Sequence, residues 1–139
     1  MLGPNLLKYK KYHRGALKIT PEVKSLVPVN GGFAIKTMQY GRLTRLQLFA
    51  MVKYLKRRIK KFDKFWLTVF PQTMETKKGL GSRMGKGKGL VDDFVVLLRK
   101  GRIIIEFGGF FFSYSALKRF FIACSHKSPL RLKFVRRYL

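Results

Sequence analysis

Hydrophobic residues recur along this chain at helical spacing in two places. The clearer one predicts a helix over residues 44–61, with Thr44 as its N-cap, because a threonine hydroxyl can accept a hydrogen bond from a free N–H of the first turn. Its apolar positions follow i, i+4, i+7 and i+11 and are Leu48, Val52, Leu55 and Ile59.

A second helix is predicted to begin after Ser113 or Ser115 and to run to about His126, because Pro129 prevents its continuation. Four residues share its apolar face, namely Leu117, Phe120, Phe121 and Cys124. Cys124 is the only cysteine of the chain, so no internal disulfide can form, and we interpret it as a small core residue.

Short apolar runs between turn residues predict strands. The run Phe65–Phe70 is bulky on both faces, which favours a central strand or one covered on both sides, with Pro71 ending it. Two apolar runs on either side of Lys100-Gly101 predict a β-hairpin. The other predicted strands are Ala16–Thr20, Phe33–Met38, Asp93–Leu98, Arg102–Phe107 and an alternating run from Leu130 to Val135.

No composition shift divides the chain, so we expect one domain over residues 1–139, with its strands in a single sheet. Residues 1–15 predict an extended basic arm. Residues 72–90 lack periodicity and contain five glycines, which predicts a long functional loop.

Charge decides the class of partner. The chain has 31 Lys and Arg against 6 Asp and Glu, a formal net charge of +25, so it needs a polyanion to screen it. Nucleic acid is the first candidate and an anionic membrane surface the second. No run of 18 apolar residues is present, so we expect no membrane insertion. Residues 1–14 lack the apolar segment of a leader, so we expect a protein that is cytosolic or made in the compartment where it works.

The cations fall into separate groups. In the arm, rings alternate with cations, a pattern suited to stacking on bases while meeting phosphates; a frayed terminus is the alternative. The first helix carries a cationic stripe that is either solvated or bound to RNA, and the last strand has one basic face. The candidate RNA-binding residues are Lys8, Tyr9, Lys10, Lys11, His13, Arg14, Lys53, Arg57, Lys60, Arg131 and Lys133.

A glycine-lysine segment within the predicted loop is the sharpest motif, and it consists of Arg83, Met84, Gly85, Lys86, Gly87, Lys88 and Gly89. Glycine lets backbone N–H groups approach phosphate closely. A nucleotide-binding phosphate loop is excluded, because Leu80 replaces the first glycine and Gly87 the Ser or Thr. Asp92 and Asp93 point to opposite faces of a strand and mark a strand start or pair with nearby lysines. We therefore expect no enzyme, metal or cofactor.

Together these motifs resemble the large ribosomal subunit protein sixteen family, the bacterial-type relative of the L-ten-e proteins. Residues 83–89 are identical to the family signature. The matching segments are Met1–Pro4, Lys8–Lys11, His13–Gly15, Gly32-Phe33, Gly41–Thr44 (with Arg42), Lys64–Pro71, Arg83–Gly89, Gly101-Arg102, the Glu106 strand and Pro129–Val135. The chain departs from the family's usual residues in the first helix, at Leu48, Phe49, Met51 and Tyr54.

The resemblance implies an α+β fold with two helices packed on a mainly antiparallel sheet. It further implies binding to large-subunit rRNA near the A site and peptidyl transferase centre, in contact with A-site tRNA and neighbouring ribosomal proteins. Arg42 joins the expected rRNA-binding residues on this ground, and residues 83–89 are the expected tRNA-proximal loop. A role in tRNA positioning and late subunit assembly follows, with no homo-oligomer.

Two alternatives remain at this stage: a free single-stranded nucleic-acid-binding or RNA-maturation factor, and a membrane-active basic protein. Heavy use of Phe, Lys and Ile is typical of an AT-rich genome. With no leader ahead of the domain, we expect an organelle-encoded mitochondrial protein, the alternatives being a plastid or a bacterial cytoplasm.

Overall fold

The described part of the chain alternates strands with two helices. The computed structural model describes residues 3–4, 8–9, 11–13, 20–23, 26–59, 64–108 and 113–137. Its elements are β1 (Phe33–Thr37), β2 (Gly41–Thr44), α1 (Arg45–Arg58), β3 (Lys64–Leu67), β4 (Thr73–Lys77), β5 (Leu90–Leu98), β6 (Ile103–Gly108), α2 (Tyr114–His126) and β7 (Leu132–Arg136). The predicted strand Ala16–Thr20 lies, apart from Thr20, outside these residues.

Helix α1 begins where the sequence predicted. The Thr44 hydroxyl accepts a hydrogen bond from the Gln47 N–H, and the Gln47 side chain accepts one from the Thr44 N–H, so both ends of a capping box are satisfied. Leu48, Val52 and Leu55 are buried, as the spacing predicted. The predicted end at residue 61 is wrong, because α1 ends at Arg58 and Ile59 is its extended, half-buried C-cap. Helix α2 is capped by Ser113, whose hydroxyl accepts from the Ala116 N–H.

The strands form two antiparallel sheets, one of four strands in the order β3-β6-β1-β7 and one of three in the order β2-β5-β4. The predicted α+β class is confirmed, whereas the expectation of a single sheet is wrong. Helix α1 packs beside β2 and β5, while α2 covers the larger sheet through Phe120 on Phe107 and Phe121 on Phe134. One apolar core joins both layers.

The predicted hairpin between Asp93–Leu98 and Arg102–Phe107 does not form. A turn is present, with the Arg102 N–H donating to the Arg99 carbonyl at 3.1 Å and Gly101 at φ +93°. It nevertheless links different sheets, because β5 is already paired with β2 on one side and β4 on the other. The turn signal was local, whereas the pairing depends on strands far away in the chain.

Strand β3 is an edge strand in the described sheet and pairs there with β6. Of the two predicted alternatives, a central strand is wrong, whereas Phe65, Trp66 and Leu67 are all partly covered. Strand β3 also ends at Leu67, three residues before Phe70. Beyond that point Thr68 still bonds to the larger sheet, its hydroxyl donating to the Ile103 carbonyl at 2.7 Å. Bulk on both faces arises because Phe65 and Leu67 pack on the core while Trp66 covers Gly108.

Strand β4 lies within the segment predicted to be unstructured, so the true loop is residues 78–89. This strand alternates weakly, since Met74 is buried between half-buried neighbours and the rest is polar. Its polar composition explains why the pattern gave no strand signal. Within the described residues, neither helix is long and apolar enough to cross a membrane.

Candidate nucleic-acid interface

The glycine-lysine loop connects β4 to β5 and stands clear of the core. Every residue from 80 to 88 is exposed, and the apolar side chains of Leu80 and Met84 are wholly exposed. Apolar side chains so fully in solvent add nothing to the core of this chain. The loop therefore contributes little to the stability of the fold and presents its side chains to the surroundings of the molecule.

Three consecutive loop residues adopt the left-handed conformation, namely Gly85 at φ +92°, Lys86 at φ +55° and Gly87 at φ +83°. A Cβ at Gly85 or Gly87 would meet no atom within 4 Å, so glycine is required there by the backbone angle and not by space. Lys86 is the one non-glycine residue with positive φ in the described chain. This turn exposes backbone amides and an ammonium on the same short segment.

Lysine side chains brace the loop from both sides. At the start of the loop, the Lys78 ammonium donates a hydrogen bond to the Gly85 carbonyl at 2.6 Å. From the arm, the Lys11 ammonium donates to the Lys88 carbonyl at 3.0 Å, and the Lys88 ammonium donates to the Tyr12 carbonyl. The structure thus brings together the arm and the loop, which the sequence identified separately.

The cleft beneath this arm–loop contact contains charge of both signs. It encloses about 190 Å³ and is lined by Tyr12, Glu75, Lys77, Lys88 and Asp92, among others. The two carboxylates offset the repulsion between the clustered lysines. The cleft itself is therefore a poor anion site, and the cations available to a polyanion lie on the outside of the loop.

The arm is exposed at residues 8–9 and 11–13, whereas Gly3 and Pro4 are half-buried. Lys8, Tyr9, Lys11 and His13 all face solvent, and the Lys8 ammonium lies 5.6 Å from the centre of the Tyr9 ring. The predicted site residues Lys10 and Arg14 lie outside the described residues. A cation beside an exposed ring suits stacking on an unpaired base.

Two further cationic faces lie on α1 and β7. Lys53 and Arg57 are exposed on α1, away from its buried face, and Lys60 lies outside the described residues. Arg131 and Lys133 are exposed at β7, the edge strand beside β1. These faces belong to other elements than the loop, and none of the side-chain contacts described for the loop includes them.

Arg42 differs from the other predicted RNA-binding residues. Its guanidinium lies 3.2 Å from the Glu75 carboxylate across the smaller sheet, so part of its charge is already compensated. Asp93 likewise pairs with Arg45 at 2.8 Å, not with a lysine, and lies inside β5 rather than at its start. These pairs hold strands β2, β4 and β5 and the start of α1 together.

Cys124 is fully buried, and burial raises the pKa of its thiol to about 11 in spite of the lowering effect of nearby Lys127. The interpretation as a core residue is confirmed, since a thiol held protonated is a poor nucleophile. Within the described residues, no three His, Cys, Asp or Glu side chains are grouped to hold a metal ion.

Two cations were missed by reasoning from the sequence. Arg58 and Lys127, at the ends of the two helices, both lie against the ring of Tyr54, at 5.8 and 5.1 Å from its centre. In the structure each lies at the C-terminal end of its own helix. The helical pattern gave no sign that they meet, because this depends on how α1 and α2 pack.

Comparison with known proteins places this architecture. The family model for ribosomal protein L16p/L10e matches residues 4–135. Large ribosomal subunit protein uL16 of Petrotoga mobilis is 36% identical over 138 residues, covering 99% of this chain and 96% of the relative. The uL16 protein of Leptospira biflexa is 36% identical over 137 residues, covering 99% and 98%.

A plastid-type relative is also similar: uL16c of Stigeoclonium helveticum is 35% identical over 133 residues, covering 96% of both chains. The matched span includes the loop, both helices and all seven described strands except the last residue of β7. On this full-length similarity, the chain belongs to the ribosomal protein L16p/L10e family.

Proposed function

We propose that this protein is a structural constituent of the large ribosomal subunit that binds rRNA near the A site and the peptidyl transferase centre. In this role it supports the positioning of A-site tRNA and late steps of subunit assembly. The observation that carries the proposal is the loop of residues 80–88, which is exposed throughout and holds three successive left-handed residues around Lys86.

The proposed division of labour follows from where the cations lie. The loop meets the phosphate backbone near the tRNA acceptor arm, where its amides and ammoniums provide donors without bulky side chains. The arm, α1 and β7 present cations on other sides and fix the protein in rRNA. The residues proposed for rRNA are Lys8, Tyr9, Lys10, Lys11, His13, Arg14, Arg42, Lys53, Arg57, Lys60, Arg131 and Lys133, and those for the tRNA-proximal loop are Arg83, Met84, Gly85, Lys86, Gly87, Lys88 and Gly89.

The role is one of binding and not of catalysis. Among the described carboxylates, Glu22, Glu75 and Asp93 are each engaged by an arginine. Glu106 is buried and accepts hydrogen bonds from the backbone of Val29 and Asn30. These four acids have structural roles, and the remaining described carboxylate, Asp92, is exposed at the cleft beside the lysines Lys77 and Lys88.

Retention on the large subunit under high salt tests the proposal. A protein integrated between rRNA segments stays with the subunit after a wash of about 0.5–1 M salt, because many contacts would have to open together. A free single-stranded nucleic-acid-binding or RNA-maturation factor washes off at the same salt. Co-sedimentation of the tagged full-length chain separates the two, with a salt-stable ribosomal protein as the internal reference.

We propose that the protein works in a mitochondrial ribosome. This proposal rests on the heavy use of Phe, Lys and Ile, which is typical of proteins encoded by AT-rich genomes. The named relatives are bacterial or, in one case, of plastid type, so plastid and bacterial ribosomes are the competing sites. Fractionation followed by detection of the protein in purified mitochondria or plastids decides between them. Sedimentation with ribosomes of any other compartment would overturn this part of the proposal.

A further inference from the structure

The ends of α1 and α2 place two cations against one aromatic ring. The Arg58 guanidinium and the Lys127 ammonium lie 5.8 and 5.1 Å from the centre of the Tyr54 ring. Because both distances start at the same point, the two cations are at most about 11 Å apart. We call these three residues the helix-end clamp.

The ring that holds the clamp is itself fixed. Tyr54 is half-buried and packs edge-on against Phe120 of α2, with ring centres 6.5 Å apart. Because both cations lie against this fixed ring, the packing of the two helices holds them in position. A cation held over a ring loses less freedom on binding a ligand than one on a free side chain.

Among the described residues, neither charge is neutralised by an acid. The ion pairs found there use Arg42, Arg45 and Arg102, and neither Arg58 nor Lys127 takes part in them. Each cation lies near the C-terminus of a helix, where the helix dipole favours positive charge. The dipole stabilises the cations in the free protein, and within the part of the chain that the structure describes neither side chain donates a hydrogen bond.

We propose that the helix-end clamp is a separate phosphate-binding site for double-stranded or folded rRNA, which takes two nearby phosphates of the backbone. Arg58 supplies the planar fork suited to one phosphate and Lys127 a point charge for the second. His126, in the last turn of α2, and Arg57, in that of α1, are exposed basic side chains next to the clamp in sequence. The inference rests on the proposed ribosomal function. It concerns residues that are distant from the loop in the sequence.

The test is the affinity of the full-length protein for its large-subunit rRNA, measured across a range of salt. We expect Arg58→Ala with Lys127→Ala to lower the affinity about tenfold near 0.1 M salt. The slope of log affinity against log salt should fall by about 0.7–0.9 for each phosphate that the variant no longer neutralises. Lys118→Ala is the matched control, because Lys118 is exposed on α2 and takes no part in the clamp.

A second variant separates positioning from charge. Tyr54→Leu keeps every cation but removes the ring, so we expect about a threefold loss of affinity with nearly the wild-type salt slope. Tyr54→Phe keeps a ring and should stay within twofold of wild type. Thermal unfolding of each variant shows whether the helices still pack, and Tyr54→Phe provides the reading if Tyr54→Leu unfolds.

Three results would overturn the clamp. One is a double variant that binds rRNA no worse than Lys118→Ala while the wild type is retained on large subunits; this leaves the proposed function intact. Another is loss of subunit retention with unchanged affinity for naked rRNA, which assigns the clamp to an acidic ribosomal protein. The third is a wild-type chain that fails to bind rRNA at all, which removes the proposed function as well.

Discussion

The Lys11 ammonium donates a hydrogen bond to the backbone carbonyl of Lys88 at 3.0 Å, and so joins two segments 77 residues apart in sequence. In the opposite direction, the Lys88 ammonium donates a hydrogen bond to the Tyr12 carbonyl. Each lysine thus satisfies a carbonyl of the other segment while its charge stays available to an anion. The arm and the loop act as one unit, so whatever orders the arm also restricts the loop.

Removal of the Lys11 side chain should loosen the loop. Lys11→Ala deletes one hydrogen bond, and a net contribution of about 1 kcal/mol corresponds to about fivefold more frequent opening. Limited trypsin digestion measures this directly, as the rate of cleavage after Arg83 and Lys86 read by mass spectrometry. Lys8→Ala is the control, since Lys8 belongs to the same arm but its ammonium lies beside the ring of the neighbouring Tyr9. Equal cleavage rates in both variants would show that the arm does not brace the loop.

Positions 85 and 87 of the left-handed turn should tolerate little besides glycine. Gly85→Ala or Gly87→Ala places a Cβ on a backbone at φ +92° or +83°, a strain of about 1–2 kcal/mol. Because the loop lies outside the core, we expect it to relieve this strain by leaving the turn, so that the unfolding midpoint is unchanged while A-site tRNA binding by reconstituted subunits falls about fivefold or more. Gly79→Ala is the matched control, because Gly79 has open space and no positive φ. A loss at Gly79 as large as at Gly85 would mean that flexibility, and not this turn, is what the loop requires.

The buried carboxylate of Glu106 should matter more for stability than an exposed one. It accepts hydrogen bonds from the N–H groups of Asn30 at 2.7 Å and Val29 at 3.2 Å, which ties the segment before β1 to β6. Glu106→Gln should lower the free energy of unfolding by about 1–3 kcal/mol, since an amide is a weaker acceptor there and adds an unpaired donor. Glu75→Gln, which weakens a partly exposed pair with Arg42, should cost about 1 kcal/mol or less. Denaturant unfolding of both variants checks the order, and the reverse order would contradict it.

The Cys124 thiol links stability to alkaline pH. Its pKa is raised to about 11 by burial, against 9.0 for an unperturbed thiol. Above about pH 9 the unfolded chain loses this proton while the folded chain keeps it, so the free energy of unfolding falls as pH rises from 9 to 11. Other groups titrate in the same window, so the measurement is the difference in slope between wild type and Cys124→Ala. Identical slopes would show that the thiol titrates alike in both states.

Local signals in the sequence located much of this fold. The caps at Thr44 and Ser113 and the apolar faces of both helices act within one or two turns, so they could be recognised without knowledge of the rest of the chain. Strand pairing could not, because the partners of β5 lie on either side of it in the sheet and well before it in the chain, at residues 41–44 and 73–77. The turn at Gly101 was identified correctly, but its position gave no indication that it connects two sheets.

In the candidate site, too, local features could be predicted from the sequence and tertiary contacts could not. The exposed loop and its glycines were evident from composition, because alternating Gly and Lys has few uses inside a core. Two tertiary contacts could not be predicted from the spacing of residues in the sequence. They are the contact between Lys11 and Lys88 and the approach of Arg58 and Lys127 to Tyr54. The ion pair of Arg42 with Glu75 was hidden for the same reason, since β4 carried no strand signal.

A hydroxyl-radical probe tethered to the loop tests the central claim most directly. Cys124 is buried with a raised pKa, so Ser82→Cys introduces the single reactive thiol needed to attach the probe in the exposed loop. Lys118→Cys on the outer face of α2 is the reference position. In assembled large subunits we expect the probe at residue 82 to cleave rRNA around the A site and the peptidyl transferase centre, and the probe at 118 to cleave elsewhere. Strong cleavage that avoids the A-site region from residue 82, or protein that never enters the subunit, would contradict the account.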